Sequence, residues 1–275
     1  MGNSEIIATI VQEFPYALYG SMLVGTLCGF LGVYIVARRV VFLGAVLTQV
    51  SVVGIALTFL PFIPLSHTLG SLAITLVLVI ALSKLLTGKK IPKDAMLGFV
   101  FVAAIAGRIL ILQKAPQVEV AEIENLLRGD ILFVTPELFQ LMAVIFFAAM
   151  ATHLLFFKEF TYISFDPETA ATQGFNAGRW ETLFYLIAAL VISVATHMVG
   201  DVFVFGFLVI PAVTAMLLVR QVWLIFLIAT SLGALAPVLG LFLAFKFDFP
   251  ASPAIVTVGA IILAMTWLGN VFRRS

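Results

Sequence analysis

The stretch THMVGDVFVFGFLVIPAVTAMLL, residues 196–218, decides how this chain folds. It is almost entirely apolar, with His197 and Asp201 four residues apart at its front edge and Pro211 in its middle. A run of this length answers to a hydrocarbon core of ~30 Å, which a helix crosses with about twenty apolar residues. Similar runs of about 18–23 residues recur along the whole chain. Of the 275 residues, 63% are hydrophobic and 11% charged. A soluble domain is nearer half apolar and a quarter charged, so this chain lacks the charge to cover a soluble surface. The composition defines an all-α, polytopic membrane protein, and no long segment alternates as a membrane β-barrel strand does.

Spans are expected near 17–36, 41–60, 69–86, 95–112, 137–157, 182–199, 202–219, 222–244 and 253–271. The expected total is eight or nine, because the tight turn at 197–201 reads either as a link between two spans or as a re-entrant bend. With nine, eleven loop lysines and arginines (Arg38, Arg39, Lys84, Lys89, Lys90, Lys93, Lys158, Arg179, Arg220, Arg273 and Arg274) share one side, against Lys114, Arg128 and Lys246 on the other. The positive-inside rule then places the C-terminus in the cytoplasm and the N-terminus outside. Residues 3–14 place Ile6, Ile7, Ile10, Val11 and Phe14 at helical spacing after Ser4, a candidate N-cap. They read as an amphipathic interfacial helix on membrane lipid, and the lack of a basic n-region argues against a cleavable signal peptide. The single cysteine, Cys28, allows no disulfide framework. No repeat divides the chain, so 1–275 is read as one domain.

Two connections exceed a turn. Residues 113–136 form an outer loop with an acidic helical stretch, and residues 158–181 form an inner one. Within the inner loop, Asp166 can cap a short helix, Pro167 suits its first position and Gly174 can end it. Such a helix is either a docking surface for a soluble partner or an ordered loop. The chain has no G-x-x-x-x-G-K-[ST] loop for nucleotide, no H-E-x-x-H and no G-x-S-x-G. No constellation supports an enzyme, a permanently bound cofactor or a nucleic-acid partner. The middles of the spans also lack the carboxylates of a proton or sodium relay. Gly25, Gly29, Gly32, Gly233, Ala236 and Gly240 are expected where helices touch, and Pro211 and Pro237 where they kink.

The remaining polar residues are few. Thr48, Gln49 and Ser51 cluster partway along the second span, where they either line a path or bond a neighbouring helix. His153 is expected at the membrane interface. His197 and Asp201 pair an imidazole with a carboxylate, a donor set suited to a divalent transition ion. Against that, Asp201 can simply cap the next helix and His197 can sit among headgroups.

Several segments together resemble the zinc/manganese/iron permease family of ABC importers. They are DAMLGFVFV (94–102), LLRGDILFVT (126–135), SFDPETAATQG (164–174), GFLVIPAVTAMLL (206–218) and FPASPAIV (249–256), in the family's order. The resemblance implies a permease homodimer, a cytoplasmic ABC ATPase dimer that uses ATP, and an extracytoplasmic metal-binding protein, in the cytoplasmic membrane of a prokaryote. It implies a divalent metal as cargo, with zinc and manganese the leading candidates. Asp166, Pro167, Glu168, Ala170 and Gly174 would form the coupling helix docked on the ATPase, within 164–178. Pro211 and Ala212 would belong to a pathway helix.

One departure stands out. Many family members carry a D-x-x-x-H-A pattern in the second span, where this chain has Ala45 and Gln49. Neither is a strong ligand for a transition ion. His197 and Asp201 are the expected substitutes, as an entry site. The alternatives are a permease of the same type for a chelated metal or small organic cofactor, and a gradient-driven secondary carrier.

Overall fold

In the computed structural model, which describes residues 2–58, 67–86, 92–114 and 131–274, the chain is helical throughout, with no strand among the described residues. A short helix α1 (Asn3–Glu13) leads into α2 (Pro15–Ala37), α3 (Val41–Thr58), α4 (His67–Leu86) and α5 (Lys93–Leu112). After a single 3₁₀ turn at Ile131–Phe133 come α6 (Pro136–Leu155), α7 (Phe157–Phe165), α8 (Pro167–Thr172) and α9 (Ala177–Val199). The chain closes with α10 (Asp201–Leu218), α11 (Val222–Phe247) and α12 (Ala251–Arg274). Eight of these helices are long and apolar enough to cross a membrane, and α4 adds the apolar stretch Leu72–Leu82. The protein is therefore a multi-pass, all-α membrane protein. The expected acidic helix of the outer loop falls on 115–130, outside the described residues.

The bundle is built around α2, which packs along both α11 and α10. Its glycines explain how. A β-carbon on Gly25 would lie 2.2 Å from the carbonyl oxygen of Gly233, and one on Gly233 would lie 2.2 Å from that of Gly25. Gly29 abuts the Ala229 carbonyl and Gly32 the Leu208 carbonyl in the same way. Without side chains between them the helix backbones touch, which is how association proceeds where lipid supplies no hydrophobic drive. Pro237 sharpens the contact: lacking an N–H, it cannot take up the carbonyl four residues back, which is that of Gly233. That freed oxygen points at the bare Cα of Gly25, where a weak Cα–H···O contact can form.

The 197–201 turn joins two full helices. Gly200 adopts φ 85° and ψ 166°, a conformation open to glycine, and ends α9 with an N–H bond to the Thr196 carbonyl. The 18 residues of α10 span ~27 Å.

Two local expectations are corrected. Ser4 does not cap α1; the helix starts earlier, with Gly2 at the cap and the Glu5 carboxylate accepting the Gly2 N–H at 2.7 Å. Its Ile6 and Ile10 are buried against the bundle while Ile7 and Val11 stay exposed. His153 is not interfacial but wholly buried. The reason is α7, which folds back across the end of the bundle and stacks Phe160 on the imidazole at 4.4 Å.

Candidate functional site

Among the described residues, two places combine polar side chains with access. The first is a groove of about 520 Å³ between α3, α10 and the neighbouring faces of α5 and α12. Its wall is apolar, including Ala45, Phe101, Phe205 and Val256, and its polar side chains are Thr48, Gln49 and Asp201. Gln49 Nε2 donates to Asp201 Oδ2 at 3.2 Å, joining residues 152 positions apart. Gln49 stands midway along α3, so the turn that opens α10 meets that helix at mid-length. Asp201 does not act as a side-chain cap: the N-cap is Gly200, and the carboxylate turns to Gln49 instead. Its place in the first turn still suits a negative charge, since the helix N-terminus carries partial positive charge.

The other expected path residues divide. Thr48 lines the groove, although its hydroxyl donates back to the Ala45 carbonyl at 2.8 Å. Ser51 faces α9, where its hydroxyl lies 3.2 Å from that of Ser193. Pro211 lies on the far face of α10, beside Gly29 of α2 and against α11 and α12. His197 is 8% exposed in the last turn of α9, four residues before Asp201 in sequence. The structure thus joins Asp201 to Gln49 in one opening, and His197 is not among the residues that line it. Among the described residues, no three His, Cys, Asp or Glu side chains gather as a metal cluster.

The second place is the α7–α8 corner. Asp166 precedes α8, and its carboxylate accepts the Thr169 N–H at 3.1 Å and the Thr169 hydroxyl at 2.6 Å. Pro167 opens the helix, as its fixed φ and missing N–H allow. Gly174 follows with φ 78°, and the Phe175 N–H returns to the Ala170 carbonyl at 3.1 Å, a Schellman ending. Ala170 is buried and holds the helix to the bundle, while Asp166 and Glu168 are exposed. The Thr169 hydroxyl and N–H hold the Asp166 carboxyl below the usual aspartate range. A depressed carboxyl stabilises the fold above its unfolded pKa and stops doing so as pH falls through the folded one. The cap is therefore intact at neutral pH and lost only in acid below the ordinary aspartate range.

The described residues thus form a multi-span helical bundle with a polar groove in its apolar wall and a capped helix at the α7–α8 corner. The chain belongs to the ABC 3 transport family, whose sequence model matches residues 12–269. Among similar proteins, a probable iron transport system membrane protein of Haemophilus influenzae is 26% identical over 94% of this chain and 92% of its own. The manganese transport system membrane protein MntC of Listeria monocytogenes is 26% identical over 92% and 89% respectively. The solved structure of PsaBC from Streptococcus pneumoniae in complex with Fab shares the fold, with a TM-score of 0.83 at 24% identity, covering 96% of this chain and 95% of that one.

Proposed function

We propose that this chain is the membrane-spanning subunit of an ATP-binding-cassette importer for a divalent transition metal, manganese first and zinc next, in the cytoplasmic membrane of a prokaryote. The observation that carries the reading is the family match across nearly the whole chain. The manganese and iron systems named among its relatives support the cargo class. In this reading two copies form the permease, an ATPase dimer binds at the cytoplasmic face, and an extracytoplasmic metal-binding protein delivers cargo. The α8 corner (Asp166, Pro167, Glu168, Ala170 and Gly174) is the coupling helix. The groove is part of the path, with Asp201 its charged contact, Gln49 holding that carboxylate in place and His197, at the end of the preceding helix, a second candidate ligand. The test is reconstitution with the cognate ATPase and binding protein. ATP-driven uptake of manganese is expected, and no uptake of any transition ion would overturn the assignment.

A specific observation favours a second reading. The groove offers one carboxylate, one carboxamide and one hydroxyl among apolar walls. Bare transition ions favour several imidazole, thiolate or carboxylate ligands, so this lining also suits a metal that arrives with ligands of its own. Uptake of a prechelated metal in preference to the free ion separates the two. The gradient-driven alternative is set aside by membership of an ABC transport family.

The coupling reading makes its own prediction. D166A removes both acceptors for Thr169, so the first turn of α8 frays and the ATPase should co-purify poorly with the permease. D166N keeps a capping oxygen and should restore binding, because Asn and Asp cap about equally well. Equal recovery of ATPase from the wild type and D166A would show that α8 is not the docking element.

A further inference from the structure

The groove and the capped helix lie in different parts of the bundle, and one half-buried arginine stands between them. Arg38 immediately follows α2, and its Nε donates to the Ser164 hydroxyl at 2.8 Å, linking residues 126 positions apart. Ser164 is in the last turn of α7, two residues before the Asp166 cap, and donates in turn to the Phe160 carbonyl at 2.6 Å. The Arg38 guanidinium lies over the Phe184 ring, 4.3 Å from its centroid. Its two terminal nitrogens are buried and have no hydrogen-bond partner among the described residues, the Glu181 carboxylate acting on them only through its charge. Leaving such donors unmet is costly, more so on a charged group. The arrangement is not explained by packing alone, because an apolar side chain would fill the same aromatic surroundings without that cost.

At the other end of the connection, α2 is locked to the groove. The backbone of Gly32, six residues before Arg38, touches the Leu208 carbonyl of α10. The same helix begins with Asp201. Phe160 of α7 is also enclosed by Tyr34 of α2, His153 of α6 and Trp180 of α9. A six-residue helix cannot hold its own position, and α8 is fixed through α7 to the end of α2.

We propose that Arg38 is a positioning residue for coupling: its bond to Ser164 transmits displacement of α8 along α2, and through the Gly32–Leu208 contact to the groove helix. This rests on the coupling reading of α8. The terminal guanidinium nitrogens are then donors held in reserve for a second arrangement of the α7–α8 corner.

Two measurements on the full chain test it. In nanodiscs without partners, amide exchange of residues 157–174 is compared between wild type, R38Q, S164A and S164T. Exchange should rise roughly tenfold in R38Q and S164A, the equivalent of one lost charge-assisted bond, with α10 unchanged and S164T close to wild type. In the assembled transporter, R38Q and S164A should keep ATP hydrolysis while uptake per ATP falls roughly tenfold, and the double variant should be no worse than either single one. Unchanged exchange over 157–174, or uptake and hydrolysis falling in equal proportion, would overturn the latch. Absence of ATP-driven uptake in the wild type would overturn the transport reading instead, and the exchange measurement would still decide the latch.

Discussion

G233V is expected to yield no monodisperse permease from detergent extraction. A β-carbon at this position lies 2.2 Å from the Gly25 carbonyl oxygen, 2.7 Å from its carbon and 3.1 Å from the Thr26 Cα. All three obstacles are main chain, so no rotamer change relieves them and α11 must move off α2. Overpacking costs about 1–3 kcal/mol where side chains can yield. Here they cannot, and the loss falls on the contact that closes the centre of the bundle. G25V meets the reciprocal obstacle and should fail alike. G233A tests the graded version, with a reduced melting temperature. Gly107 is the control: nothing among the described residues lies within 4 Å of a β-carbon there, and alanine in a helix interior is favoured over glycine by about 1 kcal/mol. G107A should therefore extract like the wild type and melt no lower. If G233V behaves like G107A, the close approach of α2 and α11 is wrong.

The glycines were legible because small residues at helical spacing in an apolar run have few other uses in lipid. The expected spans also meet the observed helices within a few residues, since span length is imposed by the bilayer and needs no tertiary information. The cap at Asp166 and the stop at Gly174 were local too, each settled within four residues of sequence. What stayed hidden depends on distant partners. Nothing near Gln49 in sequence announces Asp201, and nothing near Arg38 announces Ser164. His153 looked interfacial because its neighbours in sequence end a span. It is buried because Phe160, seven residues on, comes back over it through the turn between α6 and α7. The same limit split the polar cluster of the second span: Gln49 and Ser51, two residues apart, point on a helix in different directions, one to the groove and the other to α9.

Asp201 should be the most sensitive position for transport. Among the described residues it is the only ionisable side chain on the groove lining, and in the transport reading it contacts a cation. D201A is expected to lower uptake on the order of a hundredfold, equivalent to about 3 kcal/mol of lost charge-assisted interaction. D201N separates charge from shape, since the carboxamide keeps the size and an acceptor for Gln49 but not the charge. If the carboxylate meets a cation, D201N should fail nearly as badly as D201A, while both variants extract and assemble normally. If it serves only to hold α10 against α3, D201N should transport normally, and the cargo role of Asp201 falls. Q49A removes the donor but leaves the charge, so its loss should be near tenfold, the value of a single hydrogen bond to a charged group. The double variant H197A/D201A should abolish metal uptake. Unchanged uptake with normal assembly would remove both residues from the path. A45D combined with Q49H supplies the complementary gain: it places an acid and an imidazole in the same groove wall as Asp201, enough donors for a transition ion. Metal bound to that variant in equilibrium dialysis, with the wild-type groove far weaker, would mean that this chain moves its cargo with fewer ligands than its fold can hold.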